Sequence, residues 1–587
     1  MRIKPIWLAS AALVLALPAV AQQAAAPQPA PQPATATPTP APAQPTSNSI
    51  LPSSSVSTDS GADESAVEVV SNVTLQPPAP PVEYPGWARR DPWTVGSLDP
   101  AGVGLDGQAW GNTSGTFLTR LMRRMSTPIA SRWAHIALRD ALLARFRAPA
   151  DVHPVDWAAE RVWLLLRLGE ADAARMLVAG VDVDRFTPKM VQVAVQSALA
   201  NADPSALCPL EDPIKRNEPG ILRLVQAMCA SLAGEPETAG AMIDQARRYG
   251  RIGGIDLALA EKVVGAGANG RTATIEWDPV DTLTAWRFGL STGTGLMPPD
   301  RLTNRAPFQL RAFQARAPLL APQQRLPSAM VAAGLGVFSS QTMVDLYSAI
   351  YDATDPGDLP DTDAWQLRQA FVGKDAETRL NAIRRLLGTG KDEVTKEAAR
   401  ALVARAATLV APDPKLGKDA PELIAAMLAG GYDQAAARWI PALGGMDDAD
   451  NDRCWAMLAL AAPNIADVGT RRIAGFIRRD TSRGKLRSAL LVAGLAGLGR
   501  ISTDEANSLN RRHGLGLGHV TSWTQAIDAA AGRGQAGTVL VLTGTGLQTR
   551  SFTRVPPSHL YHSIAALNRS GQGFIARMIA AEALSRT

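Results

Sequence analysis

Residues 168–175 carry the sequence LGEADAAR, in which a glycine is followed five positions later by an alanine. This spacing occurs four times in the chain, and an apolar residue lies seven positions before each glycine. Glycine readily adopts the left-handed conformation that ends a helix, and a small alanine lets the next helix approach closely. The spacing therefore predicts antiparallel helix pairs. The four pairs are Gly169 and Ala174, Gly234 and Ala239, Gly431 and Ala436, and Gly571 and Ala576.

The body of the chain has the periodicity of helices. From Phe117 onward apolar residues recur at helical spacing, and alternating β-branched runs are almost absent. Two further glycine-punctuated stretches, 329–346 and 489–509, have the same hairpin character, and Ser502 and Glu505 have the spacing of a capping box. Because the four glycines are 65, 197 and 140 residues apart, no strict repeat follows. We predict an all-α fold, either an irregular solenoid of helical hairpins or two stacked helical lobes.

The N-terminus has the three parts of a secretory signal. Arg2 and Lys4 precede an apolar run over residues 6–17, and small residues follow at Ala19 and Ala21. The alternative is an uncleaved anchor, but a spanning helix needs about 20 apolar residues and this run is shorter. We predict cleavage after Ala21, export to the periplasm and no transmembrane span in the mature chain.

A segment rich in alanine, proline, glutamine and threonine follows, and we predict that it is a disordered tether over residues 22–84. Up to residue 83 it holds five acidic residues and no lysine or arginine. The whole chain carries a formal net charge of +5; without Arg2, Lys4 and those five acids, residues 84–587 carry +8. A basic body favours anionic partners such as cell-wall polymers or lipid headgroups, although charge of this size also serves solubility alone.

The next segment is rich in tryptophan and glycine. Its three tryptophans, Trp87, Trp93 and Trp110, are predicted to dock on the first helices, and a sugar-stacking platform is the alternative. The predicted domains are a signal peptide (1–21), a tether (22–84), a docking strap (85–115), an N-terminal helical lobe (116–355) and a C-terminal helical lobe (356–587).

The Gly-x4-Ala hairpins resemble tetratricopeptide-type units and the superhelical region of soluble lytic transglycosylases. Most of residues 86–587 also resembles uncharacterised secreted bacterial helical-repeat proteins, on Asp91-Pro92-Trp93, Trp110, LVQAMC at 224–229 and ARMIAAEA at 576–583. These resemblances imply a helical-repeat fold and export but no activity. The glutamate-serine motif of the transglycosylases has its match at Glu64-Ser65 in the tether, so no catalytic module is expected.

Cysteine and histidine are the residue types that bear most directly on chemistry. Cys208 and Cys229 are predicted to form a disulfide in an oxidising compartment, and Cys454 is predicted to be a buried free thiol. His559 and His562, one helical turn apart, would chelate a metal with His513 or His519, but surface or capping histidines are the preferred interpretation. We predict no catalytic residue, no cofactor and no metal.

Besides the pair Arg511 and Arg512, basic residues form two larger clusters, and guanidinium groups on one helix face suit bidentate contact with carboxylates or phosphates. A plain solvated surface is the alternative. The candidate contacts for an anionic partner are Arg120, Arg123 and Arg124 in one cluster and Arg471, Arg472, Arg478, Arg479, Lys485 and Arg487 in the other.

The predicted function is that of an exported, non-enzymatic scaffold or adaptor. Its stacked helices would present a surface to an envelope protein or a cell-wall polymer, and nucleic acid is not an expected partner. The alternatives are a cell-wall-modifying enzyme, or an inactive remnant of one, and a carrier of lipids or other hydrophobes. A cleft with paired carboxylates of raised pKa would favour the enzyme.

Overall fold

The computed structural model describes residues 85–125, 128–267, 273–464 and 468–587. The predicted signal and tether lie outside these residues. Within them the chain forms α-helices and short 3-10 helices and no β-strand, apart from an isolated bridge between Leu98 and Ala144. The predicted all-α fold is confirmed. None of the described helices is long and apolar enough to cross a membrane.

The α-helices are α1 (Gly115–Arg124), α2 (Arg132–Leu143), α3 (Pro154–Leu168), α4 (Ala171–Val178), α5 (Pro188–Ala200), α6 (Glu211–Asn217), α7 (Leu222–Leu232), α8 (Pro236–Tyr249), α9 (Ile255–Gly267), α10 (Ala285–Thr292), α11 (Asp300–Thr303), α12 (Phe308–Gln314), α13 (Pro322–Leu335), α14 (Ser340–Asp352), α15 (Asp363–Val372), α16 (Ala376–Leu387), α17 (Glu393–Ala407), α18 (Ala420–Ala429), α19 (Asp433–Ala437), α20 (Asp448–Ala461), α21 (Thr470–Arg479), α22 (Leu486–Gly497), α23 (Thr503–His513), α24 (Ser522–Gly532), α25 (Ala536–Gly546), α26 (Pro557–Arg569) and α27 (Gly573–Ser585). The 3-10 helices are Gly86–Ala88, Pro92–Thr94, Ala101–Val103, Val183–Arg185, Pro204–Leu210, Leu359–Asp361, Pro414–Leu416, Ile440–Gly445, Arg483–Lys485 and Phe552–Arg554.

The four predicted helix pairs are α3 with α4, α7 with α8, α18 with α19, and α26 with α27, and all four are present. Each predicted glycine has a positive φ, between 81° at Gly431 and 93° at Gly169, and each partner alanine is fully buried. The second helix of each pair begins two residues after the glycine. Left-handed glycine and close-packed alanine therefore shape these hairpins as predicted.

A fifth pair of the same geometry, α24 with α25, was not predicted. Gly534 has a φ of 69°, and α25 begins two residues later at Ala536. The residue five positions after the glycine is Val539 rather than alanine, and it is fully buried. The Gly-x4-Ala pattern was therefore too strict, because this interface has room for a larger apolar side chain.

The capping-box spacing correctly marked a helix start. The Ser502 hydroxyl accepts a hydrogen bond of 3.1 Å from the backbone N–H of Glu505, and α23 begins at Thr503. This bond satisfies one of the backbone donors that the first turn of a helix leaves unpaired.

The three tryptophans of the strap have different environments. Trp110 is buried and makes edge contacts with Trp157 and Phe146, at ring-centre distances of 5.5 and 6.0 Å. Trp93 is half-buried and lies under the guanidinium of Arg147. Trp87, in the first 3-10 helix, is 88% exposed.

Residues 90–587 form one compact unit, in which early and late parts of the chain are in contact. Helix α2 packs against α25 and α27 and also touches α13. The buried guanidinium of Arg132 donates hydrogen bonds to the carbonyl oxygens of Ala333, Phe338 and Ala429, which lie at or just beyond the ends of α13 and α18. One side chain at the start of α2 thus donates hydrogen bonds to carbonyl oxygens near the C-terminal ends of two distant helices.

Cys208 and Cys229 form the predicted disulfide. The bond joins the 3-10 helix Pro204–Leu210 to α7, with a Cα–Cα distance of 5.6 Å. It closes a segment that contains α6 and pins it beside the first helix of the α7–α8 pair.

Candidate binding cleft

A cleft of about 410 Å³ lies where α17, α18, α20 and α21 meet the last turn of α27. Volumes of this size are typical of ligand sites and of pockets that take an anchoring side chain. Its floor is apolar and is built from Ala425, Met457, Phe476 and Leu584. Four separate helices supply these side chains, so the cleft exists only in the folded body.

Helix α20 supplies both floor and rim because of its periodicity. Asp452 and Ala456 are four residues apart, as are Arg453 and Met457, so each charged side chain lies one turn before an apolar one on the same face. All four line the cleft. Of these four residues only Arg453 is exposed, whereas Asp452, Ala456 and Met457 are buried.

Asp452 anchors two arginines of α21. The Arg479 guanidinium donates to both carboxylate oxygens, at 2.6 and 2.8 Å, and Arg472 donates to one of them. Burial acts to raise the pKa of Asp452, but the hydrogen bonds from Arg479 and Arg472 outweigh it and hold the pKa below its usual value. Arg472 also lies over the ring of Trp455, 4.2 Å from its centre. This side of the cleft is a fixed ionic cluster.

A second charged cluster lines the cleft and joins α17 to α18. Arg400 donates to both oxygens of Glu422, at 3.0 and 3.2 Å, and contacts Glu397 at 3.3 Å. Arg453 reaches Glu422 at 3.4 Å. The pKa of Arg400 is raised: burial alone would lower it, but Glu397 and Glu422 more than compensate. This guanidinium stays charged.

A third set of polar contacts lies in the turn between α21 and α22. Asp480 accepts from the backbone N–H groups of Ser482 and Ser488, at 2.8 and 2.9 Å. Burial would raise its pKa, yet these serine contacts lower it. Lys485 has a left-handed φ of 56° and donates to the carbonyl oxygens of Ile477 and Asp480, both at 2.8 Å, which caps the end of α21. Asp480 and Lys485 thus fix the turn between α21 and α22.

Arginines and carboxylates on the rim are equal in number, with Arg400, Arg453, Arg479 and Arg487 facing Glu422, Asp448, Asp452 and Asp480. The two lining acids with shifted pKa values, Asp452 and Asp480, are both shifted downward. A carboxylate held ionised does not serve as a general acid at neutral pH. The geometry suits recognition of a mixed polar and apolar surface.

The predicted anionic contacts are distributed over two regions. Arg479 and Arg487 line the cleft, and Arg487 donates to the backbone oxygen of Thr587 at 2.8 Å. Arg471 and Arg478 are exposed on the outer face of α21.

The other basic cluster lies on α1. Arg120, Arg123 and Arg124 are exposed there, and Arg123 donates to both oxygens of Glu160 at 3.0 Å. No hydrogen bond or ion pair between described residues joins this cluster to that of α21.

A carboxyl group with a strongly raised pKa lies outside the cleft. Burial raises the pKa of Asp172, at the start of α4, to about 7 despite Arg316 at 3.3 Å and with a smaller contribution from Glu170. Glu170 is completely buried and contacts His135 at 3.0 Å. These two acids are close together, but the burial of Glu170 removes it from any substrate.

Asp172→Asn is expected to stabilise the protein at high pH. A carboxyl group whose folded pKa lies above its unfolded value near 3.9 favours folding at low pH, and folding stability falls as pH rises from about 4 to about 7. Because a fifth of the side chain is exposed, we expect a gain of about 2 kcal/mol at pH 8 and almost none at pH 4.5. Urea unfolding at the two pH values measures this, and an equal gain at both would contradict the assignment.

His559 and His562 make contacts within the fold, and Cys454 is buried. His559 stacks on Trp523 at 4.4 Å and contacts the carbonyl oxygen of Gly546, while His562 contacts Asp528 at 2.8 Å. Over the described ranges, no group of three histidine, cysteine or acidic residues is arranged to hold a metal ion. Cys454 is a buried free thiol, and burial raises its pKa to about 12.

Sequence reasoning missed the acids of the cleft. The signal was present in the run DDADND at 447–452, which opens α20 and is opposite in charge to the arginines of α21. Sequence reasoning also missed the structural role of the buried Arg161, although an arginine within an apolar stretch was the signal for it. Its guanidinium donates to the carbonyl oxygens of Val95 and Ala144, at 2.8 and 3.0 Å, and burial lowers its pKa to about 9.

Comparison of the chain with protein-family models, with curated proteins and with solved structures found no match.

Proposed function

We propose that this protein is an exported, non-enzymatic adaptor whose cleft binds a segment of an envelope protein. The observation that supports this most strongly is the pairing of an apolar floor with a rim of fixed, balanced charges. A protein segment offers both an apolar anchor and polar groups of either sign, which is what this lining complements. A uniformly anionic polymer would meet as many carboxylates as arginines here.

The alternative of a cell-wall-modifying enzyme draws support from the Glu170 and Asp172 pair. Retaining glycosidases use two carboxyl groups on either side of the scissile bond, and one of them has a raised pKa. Asp172 has such a pKa, but the second carboxyl would have to reach substrate, and Glu170 is fully buried. The adaptor is therefore the better supported proposal.

The cleft can be blocked without disturbing the core. Ala449 is exposed and lines the cleft near the start of α20. Ala449→Trp is expected to reduce recovery of crosslinked protein partners from cells at least tenfold, since the indole would occupy the mouth. Ala241→Trp is the matched control, because Ala241 is an exposed helical alanine on α8, which contributes nothing to the cleft lining.

The same preparations should be incubated with purified peptidoglycan. Partners that are lost with Ala449→Trp and kept with Ala241→Trp, together with no saturable glycan binding, would support the adaptor. Saturable glycan binding that Asp172→Asn removes would favour the enzyme. Equal recovery by both tryptophan variants would reject the cleft as the binding site.

A further inference from the structure

Helix α1 has an exposed face on which an aromatic ring lies beside arginines. Phe117, Arg120, Leu121 and Arg124 are spaced i, i+3, i+4 and i+7, so they share one side of the helix. Phe117 is 41% exposed and Leu121 is half-buried, whereas Leu118, which faces the core, is fully buried. The helix therefore turns both an apolar strip and a basic strip away from the core.

The arginines of this face are free to bind an anion. Arg120 and Arg124 are exposed, and no described carboxylate lies within ion-pair distance of either. Arg123, in contrast, is held by Glu160, which also pairs with Lys189 at 2.8 Å. The structure thus separates a neutralised arginine from two arginines that still carry uncompensated charge.

A second pair of aromatic and basic side chains adjoins α1. The Arg167 guanidinium lies 4.4 Å from the centre of the Trp163 ring, and it also donates to the carbonyl oxygen of Arg123 at 3.0 Å. Trp163 and Arg167 are both half-buried. This contact places a second aromatic ring and a further positive charge next to the end of α1.

We propose that this basic-aromatic face of α1, composed of Phe117, Arg120, Leu121 and Arg124, binds the surface of an anionic lipid bilayer, with Trp163 and Arg167 beside the end of the helix. Arginines attract headgroup phosphates, and aromatic and aliphatic side chains enter the boundary between headgroups and acyl chains. A helix of ten residues with this composition lies on a membrane and does not cross it.

The basic surface of α21 has arginines like those of α1 but lacks an exposed large apolar side chain. Arg471 and Arg478 are exposed on α21 and, within the described part of the chain, have no carboxylate partner, but the residue between them on that face is the half-buried Ala474. An acidic protein or polymer needs only the charges, which both surfaces offer. A lipid interface also needs exposed apolar area, and of these two helices α1 has the exposed large apolar side chain.

The test is sedimentation of residues 22–587, the predicted mature chain, with lipid vesicles. We expect binding to vesicles of phosphatidylcholine with 30% phosphatidylglycerol and little binding to phosphatidylcholine alone. Each arginine near such a surface contributes about 1 kcal/mol, so Arg120→Gln with Arg124→Gln should weaken binding on the order of 30-fold. Arg471→Gln with Arg478→Gln removes the same charge from α21 and should leave binding within about twofold.

A third variant tests the apolar part. Phe117→Ser should weaken binding most clearly in high salt, where attraction between the arginines and the headgroups is screened. Equal losses of vesicle binding for the α1 and α21 double variants would mean that binding depends only on positive charge in general. That result would overturn the proposal. Binding of dextran sulfate by wild type and Phe117→Ser alike, without vesicle binding, would assign the face to an anionic polymer. Ala449→Trp changes the cleft and not α1, so it should bind vesicles normally. Failure of the adaptor proposal can therefore be told apart from failure of the membrane proposal.

Discussion

Glu582→Ala is expected to lower the free energy of unfolding by about 3–5 kcal/mol. The carboxylate of Glu582, on α27, is buried and accepts hydrogen bonds from the backbone N–H groups of Arg132 and Trp133 at 2.8 and 3.3 Å. It also accepts from the Ser131 hydroxyl at 2.5 Å and from Arg586 at 2.7 Å. A residue 450 positions away in sequence thus caps the start of α2. Alanine would leave the buried backbone donors without this acceptor and would remove the carboxylate partner of the buried Arg586 guanidinium.

Two further variants make this expectation specific. Burial raises the pKa of Glu582, so a neutral amide of the same shape, Glu582→Gln, should be milder than alanine. Glu261→Ala removes an ion pair to Arg247, whose side chain is largely exposed, and should change stability by less than about 1 kcal/mol. Urea unfolding measures all three. A loss for Glu582→Ala no greater than that for Glu261→Ala would show that contact between early and late helices contributes little.

Removal of the disulfide should lower stability by about 3 kcal/mol, as expected for closing a loop with a sequence separation of 21 residues. The double substitution Cys208→Ala and Cys229→Ala removes the bond without leaving a free thiol in its place. The loss should begin locally, because the bond pins the segment that contains α6 against α7. Lys215 and Arg216 lie in that segment and report its opening through trypsin cleavage.

Reducing agent supplies the control for this prediction. Wild type in dithiothreitol should match the double variant in both unfolding midpoint and cleavage rate, and the double variant should not respond to the reagent. Cys454 should not affect the comparison of wild type with the double variant, because this thiol is buried and burial raises its pKa to about 12. A wild type that is equally stable with and without the reagent would rule out the expected contribution.

Local chemistry made the helix pairs predictable. Gly169 and its three counterparts have positive φ because helices commonly end in that conformation, and their alanines are buried because close helices need small residues. The α24–α25 pair escaped prediction because Val539 takes the place of alanine. Local spacing therefore predicts a turn but does not show how much room the interface leaves.

The cleft could not be predicted in the same way, because several helices with no common sequence pattern build it. Asp452 meets Arg479 across 27 residues, and Arg400 meets Glu422 across 22. Charge alone predicted arginines ready for a partner, whereas the structure pairs Arg472 and Arg479 with an acid of the same protein. The sequence lists the charges but does not show which of them neutralise one another.

The most direct test of the adaptor proposal is a photo-crosslinking amino acid at position 449 in living cells, with the same residue at position 241 for comparison. We predict a defined protein adduct from position 449, absent from position 241 and diminished when Arg453→Ala alters the adjacent rim. An adduct with glycan at position 449, or the same adducts from both positions, would contradict the proposal that this cleft binds a protein partner.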